Sequence, residues 1–438
     1  MSVLRTRSAV SPLRRRFTDL PLRLPTVDAV VAAERPEEPL HCLRPAVVAE
    51  TARTFLGAFP GDVMYAVKCN PDPAMLRALA DGGVTQFDCA SLPELRLVRS
   101  MFPDAGLHFM HPVKARGAIR EAWAALGVRT FVLDSAEELA KLRTEIGATG
   151  VPGQPDLVVR LALPKGDARL DLSGKFGAAP DLAAALLRAA RPLARKLGVS
   201  FHVGSQCLDP LAWRDALALA GTVIRAAGVP VEIVDVGGGF PVAYPDQEPP
   251  PLGAFLAEIE AGFEALDLPD AELWAEPGRA LVAGGASVVV QVQHRRDGAL
   301  FINDGVYGSL SDAGALAFRY PVRCIRPGVA TGTGVATGTG VVAGTGVAAD
   351  VTPAHDGPEL PFSFFGPTCD SADVMQGPFL LPADIAEGDW IEIGQLGAYG
   401  ACLRTAFNGF DQARIVEVGD RPMLETAGYQ PIVTQRAA

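Results

Sequence analysis

Along the chain, short apolar runs rich in Val, Phe and Ile alternate with Ala-, Leu- and Arg-rich stretches whose apolar positions recur every three to four residues. The first pattern is that of buried strands, the second that of helices with one buried face. Eight runs read as strands: Val63–Val67, Gln86–Cys89, Leu107–Met110, Thr130–Leu133, Leu157–Leu161, Ser200–Val203, Val231–Val236 and Leu273–Ala275. Between them the helical period covers Pro73–Ala80, Leu92–Ser100, Ala115–Leu126, Ala136–Ile146, Leu182–Leu197 and Leu211–Ala227. Eight strands alternating with helices over about 240 residues have the size and rhythm of a (β/α)8 barrel. A doubly wound open sheet is the alternative.

Beyond about residue 280 the rhythm changes. Ala286–Gln293, Leu300–Asn303, Asp389–Ile393 and Ala413–Val418 are strand-like, with few helices between them. This predicts a separate, mainly β domain. The expected organisation is therefore an arm over residues 1–40 that packs with the second domain, a barrel over 41–281 and a β domain over 282–438. Within the last, Gly328–Ala348 is a near tandem repeat of Gly, Thr, Val and Ala. It contains GTGVATG, superficially a dinucleotide fingerprint, but no strand–turn–helix pattern surrounds it and Thr replaces the last glycine. It reads as a low-complexity loop insertion.

Composition narrows the class. Hydrophobic residues make up 49% of the 438, enough for a large core, and charged residues 20%. Lys plus Arg number 39 against 50 Asp plus Glu, a net charge of -11, which argues against a nucleic-acid or anionic-membrane binder. No apolar run has membrane-spanning length. The opening MSVLRTRSAVSPLRRRF lacks the apolar core of a secretory signal and reads as a basic arm, with an organellar presequence as the alternative. Seven scattered cysteines without a CxxC pair suit a reducing cytoplasm and call for no metal.

The chemistry lies at the strand ends, where barrel enzymes place their reacting groups. The first strand runs into Lys68, within Tyr65-Ala-Val-Lys-Cys-Asn70, and the second ends at Asp88, with Glu94 a turn further on. The fifth ends near Arg160, the sixth in His202-Val-Gly-Ser205, the seventh in Gly237-Gly238-Gly239 and the eighth in Glu276-Pro-Gly278-Arg279. Singly, each has an ordinary reading: a solvated lysine, an aspartate capping a helix, a core histidine, turn glycines. Their succession at strand ends favours a pyridoxal phosphate site. Gly237–Gly239 and Gly278-Arg279 can offer backbone N–H groups to a phosphate, with Ser205 adding a hydroxyl. Glu276 can hold the pyridine nitrogen protonated, His202 can stack on the ring, and Lys68 is the amine for the aldehyde.

These motifs, with Phe87-Asp-Cys-Ala-Ser91, Asp235-Val-Gly-Gly-Gly-Phe-Pro241, Asn303-Asp-Gly-Val-Tyr-Gly-Ser309, Gly366-Pro-Thr-Cys-Asp-Ser371, Gly397-Ala-Tyr399 and Phe407-Asn-Gly-Phe410, occur in the order seen in ornithine decarboxylases. The chain resembles that eukaryotic-type branch of the alanine-racemase-fold decarboxylases, which includes arginine and diaminopimelate decarboxylases, over roughly residues 40 to 420. The resemblance implies Lys68 as the cofactor's Schiff-base amine, Glu276 on the ring nitrogen and His202 on the ring face. It implies that Ser205, Gly239, Arg279 and Tyr399 hold the phosphate, and that Asp88, Glu94 and Arg160 support the Lys68 side. It also implies a homodimer whose active sites lie between one subunit's barrel and the other's β domain, so that Cys369 and Asp370 act in trans.

Cys369 is then a proton donor to the carbon that loses carbon dioxide, against the ordinary reading of a small buried residue. Asp370 is expected to receive the distal ammonium of a basic amino acid, with Tyr307 and Asp312 as further substrate-binding residues. The family's second acid, in a Tyr-Asp segment after the NDGVYGS motif, has no match in Ser309–Tyr320, where Asp312 stands at a different spacing. L-Ornithine is the expected substrate, with L-lysine, L-arginine, meso-diaminopimelate or a modified ornithine as alternatives. An amino-acid racemase and a non-catalytic regulator of the same fold are the competing readings.

Overall fold

The computed structural model describes residues 24–166, 168–169, 174–327 and 358–429. The first part of the expected arm and the Gly328–Ala348 repeat lie outside the described residues.

Apolar runs flanked by turn residues become parallel strands covered on both faces. Asp62–Ala66, Gln86–Cys89, Gly106–Phe109, Thr130–Leu133, Asp156–Arg160, Leu197–Ser200, Ile233–Asp235 and Glu272–Ala275 form a closed barrel, the first strand pairing with the eighth through Asp62↔Trp274 and Val63↔Ala275. Helices cross between them, among them Pro45–Ala58 before the first strand and Leu252–Glu264 before the eighth. The expected Leu182–Leu197 helix is shorter. It runs Pro180–Ala190, a 3-10 turn follows at Arg191–Leu193, and Leu197 opens the sixth strand. Pro192 has no N–H to give and its ring crowds the preceding turn, so the α-helix stops before it. The sixth strand accordingly ends at Ser200, and His202 stands in the loop beyond it.

The second unit is an eight-stranded sheet in the order Val322–Ile325, Trp390–Ile393, Ala286–Arg296, Ala299–Ile302, Glu359–Phe365, Val374–Pro382. Leu40–Leu43 joins it, antiparallel to Ala286–Arg296 and parallel to Arg414–Glu417. The N-terminal contribution to the sheet thus reaches Leu43, three residues past the expected boundary at 40. Helix Val27–Glu34 packs Val27, Val30 and Val31 against Val289, Ile325, Trp390 and Val418. Buried Arg44 fastens the junction: it donates to Glu392 at 2.7 Å and to Ser287 at 2.9 Å.

The barrel core reaches the site through Phe240. Its ring packs edge-on to Phe55 at 5.1 Å and against Trp213 at 5.0 Å. Burying such a side chain contributes about 2 kcal/mol, and here it anchors the glycine turn that precedes it.

Candidate active site

A cavity of about 560 Å³ opens at the carboxyl ends of the barrel strands. Lys68, Arg160, His202, Ser205, Gly238, Gly239, Glu276, Gly278, Arg279 and Tyr399, all expected from the sequence, line it. Lys68 follows the first strand in a 3-10 turn, and its Nζ donates to Asp88 Oδ2 at 2.9 Å. Its side chain is 44% exposed, facing the cavity. Burial alone would lower the lysine's pKa, but Asp88, Tyr399 and Glu276 override it and raise it above the ordinary range. The resting amine is therefore an ammonium held by Asp88.

Asp88 does not cap the following helix. Ser91 does, accepting from the Glu94 N–H at 3.4 Å, while Glu94 accepts from Ala90 and Ser91 at 2.6 and 3.2 Å. Both of these bonds fall on Glu94 Oε2 and complete a reciprocal cap, so Glu94 fixes the helix start beside Asp88 and Lys68.

His202 Nδ1 accepts the Gly204 N–H at 3.0 Å, which leaves the proton of a neutral ring on Nε2. Burial, with Arg160 and Lys68 nearby, lowers its pKa well below the ordinary value, so the ring is uncharged. Glu276 behaves oppositely: burial and the carboxylates of Asp235 and Asp88 raise its pKa well above the usual range.

The glycine turn is dictated by its neighbours. Gly237 and Gly239 have φ of +67° and +105°. A Cβ on Gly237 would stand 2.2 Å from the Phe201 carbonyl oxygen, and one on Gly239 2.3 Å from that of Gly204. Gly238 lines the cavity, whereas Gly237 lies behind it, tied to Asp235. Arg279 is 4% exposed and donates to Tyr244 Oη at 2.7 Å and Asp312 Oδ2 at 3.0 Å. Asp312, expected at the substrate, is instead turned to Arg279. It is buried, stands outside the cavity lining and neutralises Arg279.

Cys369, Asp370 and Tyr307 lie together on the β domain, outside this cavity. Cys369 is exposed, which rules out the reading of a small core residue. Asn408 Oδ1 accepts from its N–H and from its thiol, each at 3.2 Å. Asp370 accepts from Tyr307 Oη at 2.5 Å and from the Ala372 N–H at 2.9 Å. Both bonds lower its pKa, so it is an anion at neutral pH.

Sequence reasoning missed part of the wall. His111 stands two residues past the end of the third strand, where the same strand-end rule finds it. Its ring meets Phe176 at 5.1 Å. Phe176 and Lys175 come from the irregular connection after the fifth strand, which carries no periodic signal. Buried Lys114 holds the His111 and Pro112 carbonyls at 2.9 and 3.4 Å.

The cavity suits pyridoxal phosphate on its own terms. It sets the Lys68 amine beside a buried carboxyl pocket that a protonated nitrogen would neutralise. A neutral imidazole lies alongside, and glycine backbone stands where no side chain fits. Comparison with known proteins agrees. Residues 46–283 match the pyridoxal binding domain of the pyridoxal-dependent decarboxylases, and residues 282–397 match their C-terminal sheet domain. The chain belongs to the pyridoxal-dependent decarboxylases. The ornithine decarboxylase of Panagrellus redivivus is 33% identical over 376 residues, covering 80% of this chain and 78% of that one. The lysine/ornithine decarboxylase of Selenomonas ruminantium is 32% identical, covering 82% and 84%. Among solved structures, the arginine decarboxylase of Paramecium bursaria Chlorella virus, bound to agmatine, superposes with a TM-score of 0.73 at 28% identity, covering 90% of this chain and 99% of that one. This decarboxylase therefore uses pyridoxal phosphate, and its family acts on basic amino acids. Among the described residues no helix is long and apolar enough to cross a membrane.

Proposed function

We propose that the enzyme decarboxylates L-ornithine to putrescine, as a homodimer that completes each active site with residues from two copies. The observation that carries the reading is the division of the chemistry. Lys68, His202 and Glu276 line one cavity, while Cys369, exposed, and Asp370, half-buried, stand on the β domain of the same chain, outside that cavity.

When bound, pyridoxal phosphate supplies an electron sink for the pair left as the Cα–carboxylate bond breaks. Lys68 is the amine that holds it, and Asp88 orients that amine. Neutral His202 offers a ring face. Glu276 holds the proton on the pyridine nitrogen. Gly238, Gly239, Ser205 and Arg279 take the phosphate, with Tyr399, whose ring lies 5.0 Å from the Arg279 guanidinium, closing that end. Arg160 supports the ring side. From the second copy, the Cys369 thiol delivers a proton to Cα after carbon dioxide leaves. Asp370, held by Tyr307, receives the distal ammonium.

Exposed Phe407, whose ring meets that of Tyr307 at 4.9 Å, and the exposed Leu403 and Phe410 close to it in the chain give the second copy an apolar surface to cover. Ornithine is favoured over longer substrates because one aspartate, pinned by two hydrogen bonds, offers a fixed distal anchor. Named relatives act on lysine and arginine as well as ornithine. The seven cysteines are scattered and form no CxxC pair, which suits a reducing cytoplasm. The test is release of carbon dioxide and amine from L-ornithine, L-lysine, L-arginine and meso-diaminopimelate with added pyridoxal phosphate. Highest kcat/KM on ornithine is expected. A higher value on any other overturns the substrate assignment, and racemised amino acid without carbon dioxide overturns the reaction.

A further inference from the structure

Asp235 ends the seventh barrel strand and is 0% exposed. Its Oδ1 accepts the Gly237 N–H at 2.9 Å, while its Oδ2 is buried and receives no hydrogen bond from the described residues. On the eighth strand Trp274 is its register partner. Two residues further on, the Glu276 N–H bonds the Gly237 carbonyl at 2.8 Å. This brings the two carboxyl groups within hydrogen-bonding reach of each other.

Two ionised carboxylates have only acceptors to offer and cannot satisfy one another. A proton between them supplies the missing donor and removes their repulsion in a water-poor site. The surroundings agree. Asp88, Lys68 and Arg160 are the other charged groups that face the pair, and His202 beside them is neutral. Fully ionised, three carboxylates would face two cations; with one shared proton, the charges of these groups balance.

We propose that Asp235 and Glu276 share one proton, carried on Asp235 Oδ2 when the cofactor is bound, so that Asp235 is a positioning residue presenting Glu276 to the pyridine nitrogen as a single negative charge. Burial supports this by raising Asp235 to about 6 and Glu276 well above its usual value. The inference rests on the cofactor site proposed above and deepens it. Asp235 touches no substrate and acts through Glu276.

Two measurements test it. Infrared spectra at pH 7 should contain a protonated-carboxyl band in both cofactor-free and loaded enzyme, lost in Asp235→Asn. An amide copies the protonated acid, with an oxygen for the Gly237 N–H and an NH2 for Glu276. Asp235→Ala should therefore weaken pyridoxal phosphate binding by about tenfold or more, and Asp235→Asn should recover most of that loss, with the 15N shift of labelled ring nitrogen still that of the protonated form. Absence of the band from the loaded wild type, or an Asn variant no better than Ala, overturns the shared proton. If the wild type takes up no pyridoxal phosphate, the cofactor site itself is overturned, and the shared proton is decided by the band of the cofactor-free protein alone.

Discussion

Lys68 and Asp88 illustrate how a residue's surroundings decide between an ordinary and a chemical role. A lysine at a strand end is usually solvated, but this one faces a cavity and is held 2.9 Å from a carboxylate that is 1% exposed. Lys68→Ala is expected to abolish activity and the visible absorbance of lysine-bound cofactor, read by spectrophotometry. Retained absorbance would move the attachment elsewhere. Cys369→Ala should keep the cofactor and cut amine production by about a hundredfold or more, as loss of a positioned acid does. Unchanged amine output would remove the proton-donor role. Much of this site was legible because one rule, reactive groups at the carboxyl ends of strands, applies residue by residue. Asp312 came from a different argument, nearness to the NDGVYGS motif, and closeness in sequence does not say which way a side chain turns: this one turns inward to Arg279. Asp235 was overlooked because its motif is dominated by glycines.

At the scale of elements, the barrel strands were readable because parallel strands buried on both faces are continuous apolar runs. The sheet was harder. Glu359–Phe365 contains Pro361, and Val374–Pro382 contains Gly377 and Pro378, residues that argue against a strand from sequence. Val374–Pro382 tolerates Gly377 and Pro378 because it ends the sheet order and, among the described residues, leaves one edge without a ladder partner. The junction of the two units depends on an ion cluster that periodicity cannot reveal: Glu392, 1% exposed, accepts from Arg44 at 2.7 Å and Arg323 at 2.6 Å. Removing one partner of a buried pair strands the other charge. Glu392→Leu is expected to cost about 3 kcal/mol in denaturant unfolding, by leaving Arg44 without its main counter-charge. A change near zero would mean that Asp420, 3.4 Å from Arg44, suffices.

For the whole molecule, buried neutral histidines link stability to pH. Burial lowers His108 from 6.5 to about 4, opposed by Asp88. Between those values the unfolded chain binds a proton that the folded chain does not, so this histidine's contribution is full above pH 6.5 and is lost as the pH falls toward 4. The melting temperature of His108→Gln should therefore fall less steeply than that of the wild type on acidification through this window. Parallel curves would contradict the neutral His108. The central claim, that one copy's cavity works with another copy's thiol, is tested most directly by mixing two inactive proteins. Lys68→Ala and Cys369→Ala, unfolded and refolded together, should regain about a quarter of wild-type activity, since half of randomly paired dimers are mixed and each has one intact site. No recovery, with mixed dimers present by mass, would place Lys68 and Cys369 in the same copy's site and contradict the account.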